Sequence, residues 1–282
     1  MTHDPPESVS TLIKQMLEIC IEVVVVDSSR DTSFITYCTQ CNHKLHFVHE
    51  AQHLGLGHAL NTAISIGSKI NPDYAIVMED DALLVNSPRL LECTISFLKT
   101  HTDLDLLYFA ESCLNSESDF IKLSKPIGSG SGLFLRYDLL SSLKFREEFF
   151  MDQIDIDFQY RVKEVGGKIF QTREVFMMRL PNGRYKIENK TPSTRGHKKE
   201  LHTIPPWRYY LLTRNTLTLF AEGKVGLFSL TYIVGYFFKG LLTKQKPFLL
   251  FKLLLNAGID AVRHNLGITP VLLRLRPDLL SC

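Results

Sequence analysis

The stretch YAIVMEDDALLV, residues 74–85, constrains this chain more than any other. Ala75, Ile76, Val77 and Met78 form a run without polar alternation, the pattern of a strand in a parallel sheet buried on both faces. Glu79, Asp80 and Asp81 follow without a break, and Ala82 to Val85 are apolar again. In an open α/β sheet, ligands bind just beyond the carboxyl ends of the strands. Three acids at that edge repel one another unless a cation or a hydrogen-bond donor compensates them. The stretch therefore predicts an α/β fold with an acidic strand end facing a ligand, and it raises the question of which cation the acids hold. Glu79 and Asp81 lie two apart and point the same way in an extended segment. They suit one hard cation, Mg²⁺ or Mn²⁺, whose other ligands include substrate phosphates. An acidic cluster on an ordinary surface would read the same.

The rest of the chain supports alternating strands and helices. Val9, Leu12, Ile13, Met16 and Leu17 have helical spacing within residues 7–20. Ile21 to Val26 is a β-branched run that closes on Asp27-Ser28-Ser29. Leu45 to Val48 reads as a strand, and Leu54-Gly55-Leu56-Gly57 as a loop before a helix over 58–68. Pro88 to Leu98 reads as a helix and Leu104 to Ala110 as a strand. This order predicts a mixed, mainly parallel sheet flanked by helices. Residues 128–132 (GSGSG) form a glycine-rich loop, and residues 181–206 are polar, basic and proline-bearing, a long loop. A net charge of +2 on 282 residues gives no global support for nucleic-acid binding. The few scattered cysteines fit a reducing compartment. Cys38 and Cys41, with His43 and His46, crowd too closely for a usual zinc site and read as a surface connection.

From Trp207 the chain is apolar and helical. Residues 225–238 carry no charge and are flanked by Lys224 and Lys239. A bilayer span wants about 20 apolar residues, so this shorter stretch predicts a helix lying in a membrane interface or packed on a partner. Lys244, Lys246 and Lys252 beside Phe248 to Phe251 suit an anionic surface. A buried helix pair is the plainer alternative. The domains implied are 1–206 and 207–282.

The last chemistry-bearing segment is FFMDQIDIDFQYRV. Asp155 and Asp157 alternate with Ile154, Ile156 and Phe158. Partial burial would raise a carboxylate pKa and favour general-base work, while a place in a helix's first turn would favour the anion. A plain helix cap is the alternative.

Taken in order, these segments resemble family-2 glycosyltransferases of the GT-A (Rossmann-like) fold, particularly rhamnosyltransferase-like and galactofuranosyltransferase-like members. THDPPES (2–8) is similar to the end of that family's first strand, VVVVDSSRDT (23–32) to its second, and HLGLGHALNTAI (53–64) to its loop and helix, with His53 where asparagine is usual. MEDDA (78–82) resembles the D-x-D element, with Glu79 in the first position. SGSG (129–132), the segment 149–170, WRYYLLTRN (207–215) and NAGIDAVRHNLG (256–267) complete the set.

The resemblance implies Thr2, Asp27, Asn61 and Asp80 at a nucleotide-sugar donor, and Glu79 and Asp81 on Mg²⁺ or Mn²⁺. It implies Asp155 as the catalytic base of an inverting transfer. Ser131, Gly132, Asp152, Asp157, Arg208 and Arg214 fall to a glycan or lipid-linked acceptor. It implies a helical tail on the cytoplasmic face of the cell membrane, dTDP-rhamnose or a UDP-sugar as donor, and no particular oligomeric state. A catalytically inactive nucleotide-sugar-binding homologue is the second expectation.

Two departures accompany it. Relatives carry a whole strand ahead of the element that residues 2–8 resemble, so a truncated first strand is implied. The metal-ligating histidine that follows the base in many relatives is absent from FMMRLPNG (176–183), which carries Met178 and Arg179 there. His197 or His202 would have to substitute.

Overall fold

A computed structural model describes residues 9–29, 43–101, 104–111, 118–126, 131–179, 205–243 and 245–280. Thr2, the Cys38/Cys41 pair, His197, His202 and Lys244 lie outside them. The chain divides into two compact units, residues 1–54, 58–145 and 158–186 in the first and 55–57, 146–157 and 187–282 in the second. The division is not the single cut expected after residue 206. A short piece from mid-chain groups with the C-terminal helices.

In chain order, the elements of the first unit begin with α1 (Val9–Ile19), β1 (Val23–Asp27), β2 (Leu45–His49) and α2 (Leu56–Gly67). Then come β3 (Tyr74–Val77), β4 (Ala82–Leu84), α3 (Ser87–Thr100), β5 (Leu106–Ala110), β6 (Phe120–Lys122), β7 (Leu133–Arg136) and α4 (Tyr137–Leu143). Helix α5 (Ile154–Glu164), β8 (Ile169–Val175) and β9 (Met177–Arg179) complete it. The first two residues of α2 and the first four of α5 belong to the second unit.

The central sheet has the order β3-β7-β5-β8-β6, and β1-β2 and β4-β9 form separate pairs. The sheet is mixed, as the sequence implied, but the parallel share is smaller than its apolar runs suggested. β1–β2 and β5–β8 are parallel, and the other four pairings are antiparallel. Strand β3, read as buried on both faces, is half-buried along its length. It pairs only with β7 among the described residues, whereas β5 has a neighbour on each side and is buried throughout. A strand with one neighbour cannot hide both its flanks, whatever its side chains. Helix α1 buries Val9, Leu12, Ile13 and Met16 as one stripe. Its Gln15 fixes β4, exchanging hydrogen bonds with the Leu84 backbone at 2.9 and 3.0 Å.

The second unit contains α6 (Pro206–Ala221), α7 (Leu230–Leu242), α8 (Pro247–Val262) and α9 (Pro270–Leu275). Tyr209, Tyr210 and Leu211 of α6 pack with Leu250, Leu253 and Ala257 of α8, Leu272 of α9 and Phe150. Among the described residues no helix is long and apolar enough to cross a membrane.

Candidate functional site

Three assemblies carry the polar chemistry. The first lies at the end of β3. Gly132 N–H donates to Val77 O at 2.9 Å, and Glu79 N–H donates to Ser131 Oγ at 3.0 Å. Gly132 has φ +72, and a Cβ there would lie 2.8 Å from Met177 Sδ, so both backbone and packing favour glycine. Ser131 and Gly132, expected at an acceptor, thus hold the acidic element by its backbone. Ala82 N–H donates to Glu79 O at 3.3 Å, which turns the chain into β4.

Strand β4 runs antiparallel to β9 with Ala82 opposite Arg179. That register delivers the guanidinium to the acids. Arg179 Nη1 donates to Glu79 Oε2 at 2.6 Å and lies 3.4 Å from each Asp81 carboxylate oxygen. Its Nε lies 3.4 Å from Oε1 of Glu111, the residue just past β5. Burial works against the arginine's charge, but the Glu79 and Asp81 carboxylates outweigh it and raise its pKa above the ordinary value. Glu79 and Asp81 are therefore brought within reach of one atom, as their spacing suggested, but that atom is nitrogen. A divalent ion needs several oxygen ligands with lone pairs free to face it. Here a permanent cation already engages both carboxylates, and the donor set does not fit the expected metal. Asp80 lies half-buried in the intervening turn.

The second assembly closes β1. The parallel register sets Asp27 against His49. The Asp27 carboxylate is fully buried, accepts from Ser29 Oγ at 2.5 Å and lies 3.1 Å from His49 Nδ1. Ser28 Oγ lies 3.1 Å from Nδ1 of the buried His53. A carboxylate taken from water costs several kcal/mol unless bonded in this way. Asn61, expected at the donor, clamps the Phe145 backbone through both ends of its amide, at 2.9 and 2.8 Å.

The third assembly belongs to the second unit and leads into α5. Phe150, Asp152 and Gln153 all have positive φ, at 62°, 59° and 65°. Each such non-glycine residue costs about 1–3 kcal/mol and persists only where its surroundings impose it. Asn215 Nδ2 imposes it here, donating to the carbonyls of Phe149, Met151 and Asp152 at 2.8–3.0 Å. Arg214 Nη2 reaches the carbonyls of Glu148 and Phe149, and Nη1 that of Gly267 at 2.9 Å. Arg214 is fully buried, and this desolvation lowers its pKa. A guanidinium so engaged orders the backbone, not a lipid phosphate.

Asp157 is also buried, 2.8 Å from Lys224 and 3.5 Å from Arg146. Those ion pairs absorb the charge that the sequence assigned to an acceptor. Asp155 stands half-buried in the first turn of α5. Asp152 accepts from Arg208 at 3.1 Å, and the Arg208 side chain is half exposed.

The sequence pattern does not single out His49, Glu111 or the engagement of Arg179. His49 and Glu111 each stand at or just past a strand end, a signal that was available. The Arg179 contact depends on the β4–β9 register, which short strands do not reveal.

No known protein family's sequence profile matches this chain, and neither does any curated protein. Solved structures do. The chain is similar to S. aureus TarS 1–349 in complex with UDP-GlcNAc, with TM-score 0.54 and 15% identity over 90% of this chain and 77% of that one. It is similar to a second structure of S. aureus TarS 1–349 at TM-score 0.50 and 15% identity, over 76% of this chain, and it spans 62% of the length of that one. At such identity the likeness shows the fold, which is of GT-A type: a mixed sheet flanked by helices.

Proposed function

We propose that this chain is a glycosyltransferase. It moves a sugar from a nucleoside-diphosphate donor to a hydroxyl of a glycan or lipid-linked acceptor in cell-surface polysaccharide synthesis. The carrying observation is that one GT-A-like unit presents the buried Asp27–Ser29–His49 cluster at one strand end and the Glu79–Asp81 element at another. Asp27 shapes the nucleotide end of β1 through its buried cluster with Ser29 and His49, and Asp80 of the acidic turn is assigned to the donor. Asp155 accepts the proton of the hydroxyl whose oxygen attacks the anomeric carbon, the nucleoside diphosphate leaves from the opposite side with the bonding pair, and this single displacement inverts the centre. Asp152 and Arg208 meet the acceptor. The UDP-GlcNAc bound by TarS gives UDP-sugars weight beside dTDP-rhamnose.

We place the protein on a membrane surface through its second unit. Residues 207–282 hold 10 Lys and Arg against 3 Asp and Glu, a net +7; residues 1–206 hold 22 against 27, a net −5. Helix α8 buries Leu250, Leu253 and Ala257 yet exposes Phe248, Phe251, Leu255, Ile259 and Val262 along its opposite face. Phe248 and Val262 are 80% and 81% exposed. A helix apolar on both faces needs a second apolar surface to cover it. The basic excess opposes a second copy of the same unit and favours anionic lipid.

Thermal shift with UDP and dTDP, followed by product detection with UDP- and dTDP-sugars, tests the enzymatic reading. Stabilisation together with transfer is the expected result. Stabilisation without transfer would assign the chain to nucleotide-sugar binding alone, and the absence of both would end the reading.

A further inference from the structure

We propose that Arg179 is the resident cation of the acidic strand end, standing where a divalent ion would, so that this chain takes its nucleotide without a metal. The inference rests on the donor reading above and on three observations.

First, the guanidinium is delivered by the fold. Strand β9 pairs with β4 so that Arg179 faces Ala82, the residue immediately after the acidic triplet. Met177 of the same strand packs against Gly132, whose N–H fixes the end of β3. The contact is thus set by strand register, not by a long side chain finding a distant partner.

Second, the arginine engages the two carboxylates that a metal would need. One nitrogen, Nη1, lies 2.6 Å from Glu79 and 3.4 Å from both oxygens of Asp81. An ion bound by those oxygens would lie against a guanidinium that cannot be deprotonated in a protein. Displacing the arginine would forfeit its Glu79 and Glu111 contacts as well. Among the described residues no group of three His, Cys, Asp or Glu side chains is placed to hold a metal.

Third, the guanidinium keeps donors in reserve. Nη1 and Nε serve the three carboxylates, and Nη2 has no partner among the described residues. A phosphate oxygen is the natural acceptor for that remaining pair of N–H groups, since the guanidinium fork matches phosphate geometry. The exchange is not equal. A guanidinium supplies one positive charge and directed N–H donors, where the ion supplies two charges and a Lewis acid. The site thereby trades charge for geometry.

Two measurements decide the matter. Free Mn²⁺ is followed by electron paramagnetic resonance during titration with the wild-type protein and with Arg179→Ala and Arg179→His. UDP affinity is measured for the same proteins in EDTA and in Mn²⁺. The expected result is that wild type leaves the free-ion signal unchanged at micromolar Mn²⁺ and binds UDP within about twofold in the two buffers. Arg179→His should take up Mn²⁺, and its UDP affinity should become at least tenfold stronger with Mn²⁺ than with EDTA. Wild-type protein that sequesters Mn²⁺, or that binds UDP only when Mn²⁺ is present, would overturn the proposal. Should UDP bind nowhere, the donor reading fails, and the Mn²⁺ titration of wild type still decides whether the acidic strand end takes up the ion. That arm needs no variant to fold.

Discussion

The acidic strand end of the first unit and the 146–157 segment of the second are each organised by an arginine, and they use it in opposite ways. Arg179 is about one-third exposed and answers three carboxylates. Arg214 is buried and answers the carbonyls of Glu148, Phe149 and Gly267 together with the Asn215 amide. A cation facing acids at a surface adjusts charge where a ligand arrives. A cation facing carbonyls in the interior fixes backbone that would otherwise relax. The same residue type thus serves a site in one place and the conformation leading into a site in the other.

That contrast can be broken or sharpened by experiment. The largest effect is expected at Asp155, which follows the segment that Arg214 and Asn215 hold. Asp155→Asn should lower transfer about 10²–10⁴-fold, the usual contribution of a general base, with UDP affinity unchanged. Near-normal turnover in this variant would remove Asp155 from the mechanism.

Next comes Arg214→Ala. It removes the hydrogen bonds that Arg214 gives to the Glu148, Phe149 and Gly267 carbonyls and to the Asn215 amide oxygen, and should cost about 3–5 kcal/mol, read from urea unfolding midpoints. A loss below about 1 kcal/mol would refute its role as a backbone organiser.

A smaller effect is expected where the second unit meets lipid. Phe248→Glu combined with Val262→Glu should weaken binding to phosphatidylglycerol vesicles by about tenfold or more, because fully burying a Phe or Val side chain is worth about 1.5–3 kcal/mol. Unfolding should be unaffected. If wild type is a dimer by light scattering and the double variant a monomer, the face belongs to a second copy instead.

The smallest effect is the stability cost of Arg179→Ala, about 1 kcal/mol or less, since exposed ion pairs contribute little to folding. A cost matching that of Arg214→Ala would erase the distinction between the two arginines.

Much of this molecule was legible in its residues. The stripe Val9, Leu12, Ile13 and Met16 specified α1, the β-branched run before Asp27 specified β1, and the alternation of strand and helix specified an α/β fold. These features are local, set by side-chain period and backbone preference, and tertiary packing did not override them. The strand-end acids were legible for the same reason, since a sharp change from apolar to charged marks where a strand meets solvent.

Partnership was decided only by the tertiary structure. Nothing local says that β4 and β9, three residues each, pair so as to bring Arg179 onto Glu79 and Asp81, 100 and 98 positions away. Nor does it say that Arg214 turns to the carbonyls of residues 148 and 149, or that Asp157 is neutralised by Lys224. Hydrogen bonds and ion pairs have short range, so their energies depend on which distant segments the fold brings together. A sequence displays its charges, but the register of its strands chooses their partners.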